Sequence, residues 1–148
     1  MPRMNTPAPH HQDPPLYVRR HGDHGPAVIV VHGGPAASGS AAPLARGLAD
    51  SFRVLEPWQR GSGGAPLTGA QHVADLHAVI QSCGPGARPA LVGESWGAML
   101  VLACAAAHPA DVGPLALVGC GTFDLTARAQ FQATVAERLG DAGRAALA

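Results

Sequence analysis

The sequence predicts an α/β fold with a mainly parallel central sheet and helices on both faces of that sheet. Ala27–Val31 and Leu115–Cys120 are uninterrupted apolar runs, which is typical of strands covered on both faces. Segments with helical spacing of apolar residues lie between such runs, and Ala70–Cys83 is the clearest of them. Because predicted strands and helices alternate along the chain, we expect most of the strands to be parallel.

The strands are predicted from short apolar runs that end at glycine, proline or polar turns. In chain order they are Leu16–Arg20, Ala27–Val31, Phe52–Leu55, Ala90–Gly93 and Leu115–Cys120. In the first run the residues alternate in polarity, which is consistent with a strand at a sheet edge. The last run is fully apolar, and since no later strand is predicted it would form the other edge. An apolar edge without charge or proline favours association, so we expect self-association there, or pairing with a C-terminal half of the protein.

Helices are predicted between these strands and after the last one. They are Ala41–Ala49, Ala70–Cys83, Trp96–His108 and Thr126–Leu139. Ser40 is a candidate N-cap for the first helix. Pro109 would end the third.

Composition limits the classes of function. A length of 148 residues predicts one domain, and a formal net charge of zero argues against nucleic acid or an anionic membrane as a partner. Cys83, Cys104 and Cys120 are an odd number of cysteines, which indicates a reducing compartment such as the cytoplasm. Ala98–Ala107, the longest apolar stretch, is too short to span a bilayer. Met1–Pro15 is polar and proline-rich, so we expect a disordered tail and no signal peptide.

The segment Gly93–Gly97 carries the strongest chemical signal. It reads Gly-Glu-Ser-Trp-Gly and lies between a predicted strand and a predicted helix, which is the pattern of a nucleophile elbow. Glycines on both sides of a tight turn leave room for a strained serine. We therefore predict that Ser95 is a nucleophile at a helix N-terminus; the alternative is an ordinary serine in a glycine-rich turn.

Two further turns accompany this elbow. His32–Pro35 (HGGP) follows the second strand, and Gln59–Gly63 (QRGSG) follows the third. Together with Gly93–Gly97 they resemble the N-terminal half of an α/β-hydrolase, especially the proline-iminopeptidase-like branch with its HGGP turn, DQRGSG loop and GxSWG elbow. The resemblance covers Leu16 to Cys120 and implies a truncated α/β-hydrolase fold. It implies a core over residues 16–122 and a helical segment, the start of a cap, over 123–148.

Acyl transfer also needs donors for the oxyanion that develops on the carbonyl oxygen. The residue after the nucleophile supplies one backbone N–H, from Trp96, and the glycine turn after the second strand supplies another, from Gly34. Gly33 of the same turn is a candidate for contact with the substrate, since glycine allows close approach to the backbone.

Two more side chains are tentative substrate contacts. Glu94 precedes the nucleophile, and either a buried structural carboxylate or a contact with a substrate amine would account for it. For Trp58 the sequence favours two interpretations about equally, a wall of the substrate pocket and a residue of the core. It stands where the family's loop has aspartate, so we expect Arg60 to lack that local carboxylate.

The resemblance implies that a histidine activates the serine and that an acid orients the histidine, both after later strands. Asp124 is a weak candidate acid, with helix N-capping as the simpler role. His108 ends the helix that Ser95 begins, about 20 Å away at 1.5 Å per residue, so we expect it to interact with helix carbonyls instead. His32 is expected to hold the glycine turn by a hydrogen bond.

No metal ion and no cofactor are expected. His10, His11, His21 and His24 lie in or near the tail and are expected to be solvated. The glycines of 61–64 lack the Lys-Ser/Thr that would follow them in a phosphate-binding loop.

Two functions remain open from the sequence. The first is a serine hydrolase that cleaves an ester or an N-terminal peptide bond of a small molecule or short peptide through an acyl-enzyme. The second is a truncated, catalytically inactive fragment that binds a ligand or partner without the histidine and acid.

Overall fold

The computed structural model describes residues 16–35, 37–61, 67–121 and 124–146. In these residues one sheet of five strands is formed, in the order β1-β3-β2-β4-β5. The strands are β1 (Val18–His21), β2 (Ala27–Val31), β3 (Arg53–Pro57), β4 (Ala90–Glu94) and β5 (Leu115–Val118). β1 is antiparallel to β3, and the other pairs are parallel. The predicted mainly parallel α/β sheet is confirmed, while the predicted tail over residues 1–15 lies outside the described part.

Four helices occur in the described part of the chain. They are α1 (Ala42–Leu48), α2 (Gly69–Gln81), α3 (Trp96–Ala107) and α4 (Leu125–Ala146). The prediction of Ser40 as a cap is wrong, because Ala41 holds that position and makes no side-chain hydrogen bond. Thr68 caps α2 by accepting the amide of Gln71 at 3.1 Å. Gly140, with φ 61°, interrupts the helical geometry of α4.

The side chains of β2 divide the core into two layers because successive residues point to opposite faces. Ile29 and Val31 pack with residues of α2 and α3, whereas Val28 and Val30 pack with residues of α1. These four side chains, which follow Ala27 in β2, are all buried. Both faces of the sheet are therefore covered, as the continuous apolar run predicts.

The position of β5 at a sheet edge is also confirmed. Leu115, Leu117 and Val118 are 37, 41 and 46% exposed, although a strand this apolar usually lies inside a sheet. Leu125 and Phe131 of α4 are exposed as well, so these two side chains do not cover the edge. Among the described residues, no helix has both the length and the hydropathy that a membrane span requires.

Candidate active site

Ser95 occupies the sharp turn between β4 and α3. Its φ of 52° and ψ of −115° make it the one non-glycine residue with positive φ in the described part of the chain. Its amide donates to the carbonyl of Val118 at 2.8 Å, and its carbonyl accepts the amide of Ala98 at 3.0 Å. The side chain is exposed. A strained, exposed serine between a strand and a helix N-terminus is the geometry of a nucleophile elbow.

The glycines of the elbow are required by close backbone packing. A Cβ on Gly97 would press on the carbonyl oxygens of Val31 and His32, the latter at 2.7 Å. A Cβ on Gly93 would approach Ala98 Cα at 2.6 Å. These are backbone atoms that cannot rotate away. The turn can therefore lie against the end of β2 only if Gly97 lacks a side chain, and the first turn of α3 can lie close to β4 only if Gly93 lacks one.

The glycine turn after β2 lies beside the serine. A Cβ on Gly33 would be 3.2 Å from Ser95 Cβ and 3.2 Å from the carbonyl oxygen of Glu94. Gly34 is exposed and has a φ of 42°. Trp96 is the first residue of α3, so its amide belongs to the unpaired N-terminal donors of a helix. The oxyanion roles of Gly34 and Trp96 stay predictions; the structure does bring Gly33 against Ser95.

A hydrogen-bond network joins the three turns. His32 is fully buried, and its Nδ1 lies 2.9 Å from the carbonyl oxygen of Gly33, while its Nε2 accepts the amide of Gln59 at 3.1 Å. The side chain of Gln59 donates to the His32 carbonyl at 2.7 Å and accepts from the indole of Trp96 at 2.9 Å. His32 is thus the neutral Nδ1–H tautomer and holds the turn, as expected. Sequence reasoning missed Gln59, although its place at the start of the QRG loop was visible.

Arg60 has a carboxylate partner despite the tryptophan at position 58. Its Nε and a terminal nitrogen donate to the two oxygens of Asp75 on α2, at 2.5 and 2.6 Å. Gln71 donates to the same carboxylate at 3.0 Å. As expected, the family's aspartate is absent from position 58. The carboxylate of Asp75 on the next helix pairs with Arg60 instead. The spacing of these two residues along the chain did not predict this pair.

Trp58 and Glu94 are the two tentative substrate contacts. The Trp58 ring lies edge-on to Tyr17 with centroids 4.7 Å apart, and the guanidinium of Arg19 is 5.5 Å from it. These contacts are with β1 and the residues before it, and β1 is separated from β4 by two strands. Glu94 ends β4 and is partly buried. Substrate contact by either side chain stays a prediction.

Among the described residues, no histidine side chain is hydrogen-bonded to Ser95. His108 is the C-cap of α3, and its backbone amide donates to the carbonyl of Cys104 at 2.8 Å. Asp124 is exposed and its carboxylate accepts the amide of Thr126 at 2.8 Å, so it caps α4. The role of Asp124 as a catalytic acid stays a prediction.

The histidines near the N-terminus differ from one another. His21 is not solvated, contrary to expectation: its Nε2 lies 2.8 Å from the fully buried carboxylate of Glu56, which also accepts two hydrogen bonds from Arg19. His24 is exposed and lies 2.9 Å from Asp23. His10 and His11 lie outside the described residues. The described contacts of His21 and His24 are with Glu56, Asp23 and the carbonyl of Asp50, not with Ser95.

The chain matches the family model described as alpha/beta hydrolase fold over residues 26–148. It is 39% identical over 104 residues to proline iminopeptidases of Neisseria gonorrhoeae and Neisseria meningitidis serogroup B, with 64% of this chain and 33% of each relative covered. It thus spans about a third of the length of the curated relatives it matches.

Solved structures agree on the fold. An E-2-(acetamidomethylene)succinate hydrolase superposes with a TM-score of 0.65 at 25% identity, covering 82% of this chain and 47% of that one. An alpha/beta hydrolase of Sphaerobacter thermophilus gives a TM-score of 0.61 at 29% identity, covering 82% and 51%. Together with the elbow at Ser95, these likenesses show that the chain belongs to the α/β hydrolase fold family.

Proposed function

We propose that this chain supplies the nucleophile and the oxyanion donors of a serine hydrolase that cleaves an ester or an N-terminal peptide bond. The observation that carries the proposal is Ser95 itself, which has a positive φ, is exposed and lies at the start of α3. Backbone strain of this kind costs about 1–3 kcal/mol and is concentrated at functional sites. The likeness to the neisserial proline iminopeptidases supports the peptide alternative.

In the proposed reaction the Ser95 hydroxyl attacks the carbonyl carbon of a small-molecule or short-peptide substrate. The backbone amides of Trp96 and Gly34 donate to the oxyanion, the alcohol or amine leaves, and water then hydrolyses the acyl-enzyme. Each oxyanion donor is worth about 10²–10³ in kcat in serine hydrolases. The reaction uses no cofactor.

The general base comes, in this proposal, from a C-terminal half of the protein or from another chain; the acid comes from there too, with Asp124 as the weaker candidate. Removing the histidine of a serine hydrolase costs around 10⁶ in kcat, so the described residues alone are expected to be a very poor catalyst. The second function is a truncated, catalytically inactive fragment that lacks the histidine and the acid and only binds a ligand or partner. In that case Ser95 is not expected to react as a nucleophile.

A fluorophosphonate probe tests the proposal when imidazole is offered as an external base. We expect labelling that rises with imidazole concentration and is lost in Ser95→Ala. Ser40→Ala, which removes another exposed serine, is the matched control and should label like the parent chain. Folded protein that shows no Ser95-dependent labelling even in imidazole would instead favour the inactive fragment.

We also propose a cytoplasmic location and self-association through β5. The three cysteines are free, which suits a reducing compartment. The edge of β5 that faces away from β4 carries exposed Leu117 and Val118 and no charge. Such an edge is a template for pairing with another strand. We propose neither nucleic acid nor an anionic membrane as a partner, because the formal net charge is zero.

A further inference from the structure

Three potential metal ligands converge where α2 meets the end of α3. They are His77 of α2, His108 at the C-cap of α3 and Asp111 in the turn that follows. One ring nitrogen of each histidine and one carboxylate oxygen all lie within 4.8 Å of one another. The helix α3 separates this cluster from Ser95 by about 20 Å at 1.5 Å per residue. The cluster is therefore distinct from the candidate active site.

The fold holds these three positions in place. The amide of Asp111 donates to the carbonyl of His108 at 3.1 Å and fixes the turn after α3. The helix α2 is held against α3 by the core, where Leu76 and Ile80 are buried together with Cys104. The backbone positions of the cluster thus rest on two packed helices and on a hydrogen-bonded turn, not on a free loop.

An ion pair alone does not account for the cluster. His77 Nε2 lies 2.8 Å from Asp111 Oδ2, and Gln81 donates to that oxygen at 3.2 Å. The ring of His108 instead stacks on that of His77, with centroids 3.6 Å apart and planes within 3°. In the described part of the chain, neither ring nitrogen of His108 makes a hydrogen bond.

We propose that His77, His108 and Asp111 bind a Zn²⁺ ion that fastens α2 to the end of α3. Two imidazoles and a carboxylate are a donor set that Zn²⁺ favours, with metal–ligand distances of about 2.0–2.2 Å. Ring lone pairs lie in the ring plane, so the stacked rings must rotate to face one ion. The side chains of His77 and Asp111 are 25 and 39% exposed, which gives room for that rotation and access for the ion.

Cobalt and zinc titrations of the full chain test the site. Every variant is made in a His10→Ala/His11→Ala background, because these two histidines offer competing ligands. We expect saturable 1:1 Co²⁺ binding, seen by visible absorption and displaced by Zn²⁺. Zn²⁺ at about 100 times its Kd should raise the Tm by several degrees, because an ion that binds only the folded state stabilises it.

The variants separate a built site from adventitious binding. His108→Ala and Asp111→Asn should each weaken Zn²⁺ binding at least tenfold. His24→Ala should not, although His24 and Asp23 also form a surface histidine–aspartate pair, at 2.9 Å. If His108→Ala fails to fold by circular dichroism, His108→Gln keeps the side-chain volume and replaces it. Zn²⁺ binding that is unchanged in the His108 and Asp111 variants, or that falls equally in His24→Ala, overturns the proposal.

Discussion

The indole Nε1 of Trp96 donates to the side-chain oxygen of Gln59 at 2.9 Å, and this bond ties the nucleophile elbow to the loop after β3. Gln59 is buried and is also bonded to both the ring and the backbone carbonyl of His32. One amide side chain that takes no part in the proposed chemistry thus links the turn at Ser95 to the glycine turn after β2.

Replacing Gln59 with alanine should therefore loosen the site and the fold together. It leaves the indole N–H of Trp96 and the carbonyl of His32 without these partners, and a buried polar group without a partner costs about 1–3 kcal/mol. Urea denaturation measures the loss. Gln132→Ala removes an exposed amide on α4 and should change stability by less than about 0.5 kcal/mol. Equal effects of the two changes would contradict the role given to Gln59.

Alanine at Gly97 should disrupt the elbow. Its Cβ would lie 2.7 Å from the carbonyl oxygen of His32 and closer still to that of Val31, so β2 and α3 would have to separate. We expect a loss of roughly 3 kcal/mol or more, from overpacking against backbone, and the loss of Ser95 labelling. Gly47→Ala is the control, because the space around this α1 glycine is open. Better helix propensity should make Gly47→Ala more stable by about 0.5–1 kcal/mol. Thermal melts of both variants distinguish these outcomes.

The buried carboxylate of Glu56 should make stability depend on acid pH. Burial raises the pKa of Glu56, but hydrogen bonds from Arg19 and His21 outweigh burial and hold its pKa below the ordinary value. The resulting stabilisation is present above the ordinary pKa and is lost as the pH falls through the lower folded-state value.

Glu56→Gln tests this dependence. The variant should be less stable by about 2 kcal/mol at pH 7, because the hydrogen bonds to a charged group are lost. The free energy of unfolding should also fall less steeply below about pH 5 than in the parent chain. Glu137→Gln, at an exposed position on α4, should keep the parent slope. If the free energy of unfolding fell equally steeply with decreasing pH in all three proteins, Glu56 would not be responsible for the loss of stability in acid.

A lysine on the β5 edge should reduce self-association. Leu117 is 41% exposed at the unpaired edge, and a charge there opposes pairing with a second edge strand. Sedimentation velocity should show a smaller mean mass for Leu117→Lys than for the parent. Leu125→Lys, on α4 at an 82% exposed position, should leave the mass unchanged. A parent chain that is monomeric at all concentrations would remove the basis for this proposal.

Several elements were predictable because their signals are local. The strand over Ala27–Val31 has the predicted bounds, since an uninterrupted β-branched run is typical of a strand covered on both faces. Other boundaries moved by a few residues. β1 ends at His21 and not at Arg20, because its register follows the pairing of Val18 with Pro57 and of His21 with Val54. Because this register depends on β3 as well as on β1, the sequence of β1 alone does not specify where the strand ends.

The alternation of strands and helices and the glycines around Ser95 could be predicted from the chain alone, because periodicity and local sterics act over a few residues. The side-chain pairs became visible only in the folded chain: Arg60 pairs with Asp75 at 15 residues' separation, and His77 pairs with Asp111 at 34. Such pairs form when packed elements bring distant side chains within about 3 Å. No spacing along the chain specifies them, because the contact depends on how the helices lie on the sheet.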